Sequence, residues 1–435
     1  MTLIELAIQI KGLLKTGRNF YIRFLPEVLD FTQPDFKGSI EIKSARSSVT
    51  IPFDRTSILE IASVLKDSVF GYDTFNVVWD IKNFFSYLKH ITRADFEPEC
   101  QVFDLKIIEG YFGLMNKAPE SYAEATSRLG KIFSDPSWAS AKSIYQKIYV
   151  PLITKVIPAI ETNGLIDRKQ KTVVHPYYEI EGKNGRMKCP EAYKKHFNPH
   201  SLSQEVKDNL YPRQMGDSFI ELDFRHMEVT ILQWLSKDEG ISKILASGED
   251  FYKATFKLLS GGECDSEKKR DLVKKAFLPV IYGMSVDSLS KALEVPFQTA
   301  DKIVSRERKL FSRSFAWIEE FQNQRGEVRK DHFGRQRFFE DKSYLVPMRN
   351  FAVQSPASLV CLEKLIQLHN AIRGYGKIIC HVHDGYYICA AKSVLATVCS
   401  LAKQTLELES ELCVGLKLQC SCKVGDSLTE VKEAN

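Results

Sequence analysis

The chain has 435 residues, with 60 Lys plus Arg against 55 Asp plus Glu; 44% of its residues are hydrophobic and 26% charged. That balance excludes wholesale disorder, and at roughly 100–200 residues per domain it predicts two to four domains with cores that need no staples. There is no run of about eighteen apolar residues, no signal-peptide pattern at the start and no CxxC pair among ten scattered cysteines, so an intracellular protein in a reducing compartment, without a membrane partner, is expected.

Taken in chain order, residues 1 to about 135 mix strand-like and helical runs: Gly38 to Phe53 alternates like a hairpin, and Ser57 to Leu65 has helical spacing. A small α/β domain is predicted there. A helical piece follows from about 136, then a Tyr-rich and Lys-rich loop region up to about 210. The run SFIELDF reads as a strand, and long helices extend from it to about 330. A hairpin-like pair around Gly334, a helix ending near Gly374, a second hairpin (KIICHVHDGYYICA), another helix and a final strand complete the chain. Helices inserted between strands of one mixed sheet make the fold class α+β.

Three segments carry chemistry. In Ser218–Phe224, Ile220, Leu222 and Phe224 alternate onto one face, leaving Glu221 and Asp223 on the other, with Asp223 where the strand ends. In HVHDGYYI, Asp-Gly between β-rich runs favours a tight two-residue turn, with Gly385 taking the positive φ and Asp384 at the hairpin tip. In KKRDLVKKAFLPVIYGMS, Arg270, Lys274, Leu278 and Tyr282 recur every four residues along one stripe of a helix. Two cations, an apolar residue and an aromatic suit a phosphate tail, a sugar and a base. Two remote carboxylates with such a helix between them are what two-metal phosphoryl transfer requires, because hard divalent cations want carboxylate oxygens.

These segments resemble the family A DNA polymerases, the group of the bacterial repair polymerase and of several phage replicases. LDFRHMEVTILQWLS resembles motif A (DYSQIELRI), RDLVKKAFLPVIYGMS motif B, and HVHDGYYI motif C (VHDE), in the right order. Further likenesses span about residues 175 to 426: NGRMKC to TGRLSS, GEDFYKAT to a D-I-H-x-x-T helix start, HFGRQR to D-G-R-x-R, NFAVQSPAS to N-x-x-x-Q-S, and CKVGDSL to the closing strand.

The resemblance implies a right-hand polymerase over 136–435, with a reduced thumb at about 136–216, a palm at about 217–249 and 334–435, and fingers at about 250–333. It implies a DNA-directed DNA polymerase that adds dNTPs to a primer 3′ end, with two Mg²⁺ ions, or Mn²⁺ in their place, held by Asp223, Asp384 and the backbone carbonyl of Phe224. Arg270 and Lys274 would hold the triphosphate, Lys274 serving also as general acid. Glu228 with Tyr282 would exclude a 2′-hydroxyl. Leu278 and Tyr252 would complete the dNTP site, and Arg186, Arg335, Asn350, Gln354 and His383 would contact primer-template DNA.

The chain departs from the pattern at Leu278 (usually aromatic), Pro279 (expected to bend the helix), Tyr252 (usually His) and Gly385 (usually a second acid). Residues 1–135 resemble a degenerate 3′-5′ exonuclease: Phe84 stands in place of an acid, Asp80 and Asp104 remain as remnants, and proofreading is expected to be absent. A monomer aided by a processivity or replisome factor is expected, in a compact enzyme of viral type acting in the cytoplasm of a host. Two alternatives stay open, a non-catalytic primer-template binding factor and a relative of the single-subunit RNA polymerases.

Overall fold

The computed structural model describes residues 3–25, 37–71, 73–92, 98, 100–114, 116–180, 184–189, 197–340 and 345–433. The chain divides into two compact units, Met1–Asp223 with Cys361–Leu406 and Cys420–Asn435, and Phe224–Val360 with Glu407–Gln419.

The first unit opens with α1 (Leu3–Thr16), β1 (Asn19–Leu25), β2 (Lys37–Lys43), β3 (Ser48–Asp54), α2 (Ile58–Asp67), β4 (Phe75–Trp79), α3 (Lys82–Thr92), β5 (Gln101–Asp104), α4 (Leu105–Tyr111) and α5 (Tyr122–Phe133). The strands form one sheet in the order β3-β2-β1-β4-β5, antiparallel from β3 to β1 and parallel from β1 to β5. The predicted hairpin is β2–β3 and the predicted helix is α2. Phe20, Ile22, Phe24, Ile40, Ile42 and Phe84 belong to its continuous buried core. Each such side chain contributes about 1.5–3 kcal/mol by leaving water, which is how a short five-stranded sheet holds together.

Next come α6 (Trp138–Ile144), π turns at Tyr145–Tyr149 and Leu152–Val156, and α7 (Ile157–Asn163). Pro151, which has no N–H to donate, lies between the π turns. Tyr145 ties this segment to the first sheet: its hydroxyl accepts the Asp104 N–H at 2.6 Å and donates to the Val102 carbonyl at 3.1 Å. The stretch read from sequence as loop contains short pairs, β6 (Leu165–Asp167), β7 (Thr172–Val174), β8 (Glu179–Ile180), β9 (Met187–Lys188), then α8 (Gln204–Asn209) and β10 (Leu210–Tyr211). Strands of two or three residues leave no periodicity for a pattern to register.

The predicted strand SFIELDF is β11 (Asp217–Arg225). The helices after it are α9 (Met227–Ser236), α10 (Glu239–Ala246), α11 (Phe251–Ser260), α12 (Glu267–Ile281), α13 (Val286–Leu293), α14 (Phe297–Leu310) and α15 (Ser312–Gln322). The pair around Gly334 is β12 (Val328–Lys330) and β13 (Gln336–Phe338), and α16 spans Leu345–Ala371. The chain closes with β14 (Gly376–Val382), β15 (Gly385–Ala391), α17 (Leu395–Glu407), β16 (Gln419–Gly425) and an unforeseen short β17 (Lys432–Glu433). A second five-stranded sheet has the order β14-β15-β11-β16-β17, so strands distant in sequence become neighbours.

Pro279 sits in the last turn of α12, which ends two residues later at Ile281. The hydrogen bond a proline cannot make is therefore lost at the helix terminus rather than at its middle.

Among the described residues no helix is long and apolar enough to cross a membrane. All ten cysteines are free.

Asp104 caps α4, accepting from the Lys106 and Ile107 N–H groups and from that of Ile81 at 3.1 Å, and it is wholly buried. Burial, with the nearby charge of Asp80, pushes its carboxyl up to about 7. A carboxyl that titrates near 3.9 unfolded and near 7 folded holds its proton more tightly in the folded state, so its stabilisation is complete below about pH 4 and lost as pH rises to 7. Asp104→Asn, uncharged throughout, is expected to flatten that decline, checked by urea midpoints of both proteins between pH 4 and 8.

Candidate active site

In β11, Ile220, Leu222 and Phe224 are buried, Glu221 is half-buried and Asp223 is exposed, as the alternation requires. β11 pairs antiparallel with β15 in a register that sets Glu221 against Tyr387, Leu222 against Tyr386 and Asp223 against Gly385. Asp384 precedes Gly385, so the Cα atoms of the two aspartates lie no more than about 9 Å apart from the strand and chain spacings alone. The Tyr387 phenol has its pKa raised by burial first and then by the charges of Glu221, Asp223 and Asp384, among others, which places both aspartates near one ring. The Ser421 hydroxyl donates to the Asp223 carbonyl at 3.1 Å.

The turn differs from the sequence expectation. β14 and β15 close with Val382 opposite Gly385, so the central residues are His383 and Asp384. His383 carries the positive φ, 55°, and Gly385 does not. Histidine is among the residues that tolerate this region, which frees Gly385 for another role. A Cβ there would lie 3.3 Å from Asp223 Oδ2 and 3.3 Å from the Val382 carbonyl oxygen. Gly385 thus leaves room beside the Asp223 carboxylate.

Two tyrosines hold this hairpin. The Tyr386 hydroxyl donates to the Cys361 carbonyl at 2.9 Å. The Tyr178 hydroxyl both donates to the His381 carbonyl and accepts its N–H, each at 2.9 Å. Sequence reading missed Tyr178, because a tyrosine in a Tyr-rich stretch carries no mark of its partner. Arg186 and the exposed His383 lie in the same neighbourhood: the rings of His383 and His200 are 5.1 Å apart. Burial first, then the charges of His383 and Arg186, hold His200 down to about 4.

In the second unit, Ser266 caps α12 by accepting the Lys269 N–H. Arg270 is half-buried, Lys274 exposed, Leu278 half-buried and Tyr282 buried. Arg270 Nε and Nη2 donate to Asp250 Oδ2 at 3.0 and 2.9 Å, while Asp250 Oδ1 caps α11 through the Tyr252 and Lys253 N–H groups. Burial raises the Asp250 carboxyl, but the hydrogen bonds from Arg270 and Lys253 outweigh it and leave the pKa below the usual range. Asp250 is a second residue that sequence reading missed. Tyr252 lies with its ring 5.4 Å from the Arg270 guanidinium and 4.9 Å from the His226 ring.

The Tyr282 hydroxyl donates to Glu228 Oε2 at 3.0 Å, bringing together the two residues paired from sequence. Gly283 follows at φ 99°, and a Cβ there would press on Arg349 Nη1 at 3.3 Å. Arg349 itself donates to the Ile281 carbonyl at 3.3 Å and to Gln322, holding the end of α12.

Asn350 and Gln354, four residues apart, share a half-exposed face of α16, and Asn350 Oδ1 is buried with no hydrogen-bond partner among the described residues. Arg335, expected to touch DNA, is only 3% exposed and sits close enough to buried Asp331 to act on its charge. The Arg335 backbone N–H donates to Asp331 Oδ1 at 2.8 Å. Among the described residues no three His, Cys, Asp or Glu side chains converge as a complete metal cage. The Phe224 side chain is buried.

Residues 152–430 match the family model described as DNA polymerase family A. The chain is 27% identical over 233 residues to the thermostable DNA polymerase I of Thermus thermophilus, covering 50% of this chain and 28% of that protein. It is 28% identical over 247 residues to that of Thermus aquaticus, covering 53% and 29%. It is 21% identical over 279 residues to DNA polymerase theta of Caenorhabditis elegans, covering 60% and 16%. The chain therefore spans less than a third of the length of these relatives. The match takes in both aspartate strands, the α12 stripe and the Glu228–Tyr282 pair, and on that ground the chain belongs to DNA polymerase family A.

Proposed function

We propose that the chain is a template-directed DNA polymerase that adds dNTPs to a primer 3′ end. The observation that carries this reading is the β11–β15 register, which sets Asp223 opposite Gly385 and next to Asp384. Asp223, Asp384 and the Phe224 carbonyl would hold two Mg²⁺ ions, or Mn²⁺ in their place. Two carboxylates suffice, because Mg²⁺ is commonly bound by one or two carboxylates plus substrate phosphates rather than by an all-protein cage. Such ions, when bound, activate the attacking hydroxyl and stabilise the leaving oxygen.

The chain's own residues do the rest. Arg270 and Lys274 bind the triphosphate; Asp250 fixes the guanidinium so that its remaining donors keep one direction. Lys274, exposed on the same stripe, gives a proton from Nζ to the departing pyrophosphate. Leu278 supplies apolar contact to the sugar, and Tyr252 flanks the phosphate cation. The Glu228–Tyr282 hydrogen bond stiffens a wall where a 2′-hydroxyl would need room, which favours dNTP over rNTP. Arg186, His383, Asn350 and Gln354 contact primer-template DNA, while Arg335 is buried.

We assign residues 136–216 to a reduced thumb, 217–249 and 334–435 to the palm, and 250–333 to the fingers. Residues 1–135 form a degenerate exonuclease-like domain without proofreading. That reading is supported by β1, which holds no carboxylate, by Phe84 in the core, by Asp104 spent on a helix cap and by Asp80 paired with Lys106 at 2.6 Å. A processivity or replisome factor would supply grip that a short thumb lacks.

Primer extension with Mg²⁺ and four dNTPs tests the reading: Asp223→Ala and Asp384→Ala are each expected to lose at least about a thousandfold in rate, and extension surviving both would end it. Glu228→Ala is expected to lower the preference for dNTP over rNTP by on the order of a hundredfold, read from competitive incorporation. In a single-encounter extension assay, products are expected to be short even at low salt, because few phosphate contacts hold the duplex; long products that persist at high salt would contradict the short-thumb assignment.

A further inference from the structure

β14 is an edge strand of the second sheet, with β15 on one side. His381 lies opposite Tyr386 in the ladder, and its N–H and C=O turn outward to the edge, where both meet one phenol oxygen, that of Tyr178, at 2.9 Å. Three residues further along the chain is Asp384. A second pin lies on the same edge: Asn163 Nδ2 donates to the Ile378 carbonyl at 2.6 Å. Between these pins the β14–β15 register shifts, at Ile378/Cys380. A bulge loosens a ladder locally, so the outer hydrogen bonds fix what the inner ladder leaves adjustable.

Tyr178 is itself held. Its N–H donates to Glu161 Oε1 at 2.7 Å. The same oxygen takes Lys82 Nζ at 2.9 Å, and Glu161 Oε2 takes the Ser86 hydroxyl at 2.5 Å. Lys82 also lies 3.8 Å from the centroid of the Tyr177 ring, and the Tyr177 hydroxyl donates to Asn83 at 3.1 Å. The Lys82 and Glu161 side chains are 5% and 0% exposed. Buried charges without a complete set of partners are costly, so this network has little freedom to rearrange. Lys82, Asn83 and Ser86 all belong to α3, the helix that follows β4 of the N-terminal sheet.

We infer that Tyr178, set in place by Glu161 and by Lys82 of the N-terminal domain, is a positioning residue that fixes the height of the Asp384 hairpin. The inference rests on the polymerase reading above and gives the N-terminal domain a part in the reaction that needs no carboxylate of its own. A phenol that clamps both backbone polar groups of one residue holds the strand against sliding, and Asp384 follows directly from that strand.

The test uses the full chain and Tyr178→Phe, which removes one oxygen and keeps the ring. Amide hydrogen exchange of peptides containing His381 is expected to accelerate about tenfold, and kcat for primer extension to fall about tenfold. The dNTP KM should stay within about twofold and the Mg²⁺ concentration at half-maximal rate should rise, because the displaced group is a metal ligand. Should Tyr178→Phe not fold, Asn163→Ala, which removes the second pin from a half-buried site, is expected to move the same three readouts in the same directions. Unchanged exchange at His381 in a folded variant overturns the clamp. Faster exchange with unchanged kcat and Mg²⁺ midpoint reduces Tyr178 to a packing residue and overturns the positioning role. Absence of extension in the unsubstituted chain defeats the polymerase reading instead, and exchange alone then decides the clamp.

Discussion

Asp223 faces Gly385 across the β11–β15 ladder, and the candidate chemistry depends on that register being held. A slip of one residue would turn Asp223 into the core and Leu222 and Phe224 out of it, because side chains alternate with a period of two. What resists the slip is apolar. Ile220, Leu222 and Phe224 of β11 and Tyr386 and Ile388 of β15 are all at most 2% exposed. Exposing several such side chains at about 1.5–3 kcal/mol each outweighs any gain from regrouping carboxylates. The acidic pair is thus placed by the hydrophobic pattern, and the electrostatic repulsion between its members is tolerated.

The cationic helix follows a different logic. Arg270 does not wait for a ligand with its charge uncompensated: Asp250 holds two of its donors and at the same time caps the neighbouring helix. A cap is worth about 1 kcal/mol, so the carboxylate that orients the guanidinium is anchored for reasons of helix stability. Tyr282 and Glu228 make a similar economy, one hydrogen bond joining the end of α12 to the first turn of α9. Both pairings narrow the conformations open to long side chains.

Much of this was legible in the sequence wherever a period or a motif ran long enough. The alternation in SFIELDF gave the facing of Asp223, and the four-residue spacing from Arg270 to Tyr282 gave the stripe on α12. What stayed hidden was partnership across the chain. The hydroxyl of Tyr178 reaches His381, 203 positions away, and nothing in either segment marks the other. The turn before Gly385 was misjudged for a related reason: Asp-Gly favours a turn locally, but the ladder continues through Gly385 and moves the strained φ to His383. Arg335, implied by the resemblance to contact DNA, is buried in the fold, and neither its own position nor the resemblance marks that burial.

The N-terminal sheet is tied to the rest of its unit by buried polar contacts as well as apolar ones. Asp104 caps α4, Asp80 forms an ion pair with Lys106, and Phe84 packs in the core. Buried ion pairs are often no better than hydrophobic residues for stability. Beside apolar contacts such as those with Ile153, α3 presents Lys82, Asn83 and Ser86, all of them nearly inaccessible, to partners that include Glu161 and Tyr177. What such polar contacts offer over apolar ones is direction: a hydrogen-bonded carboxylate fixes the Tyr178 peptide, and the tyrosine fixes a strand edge, to within the narrow geometry that hydrogen bonds allow.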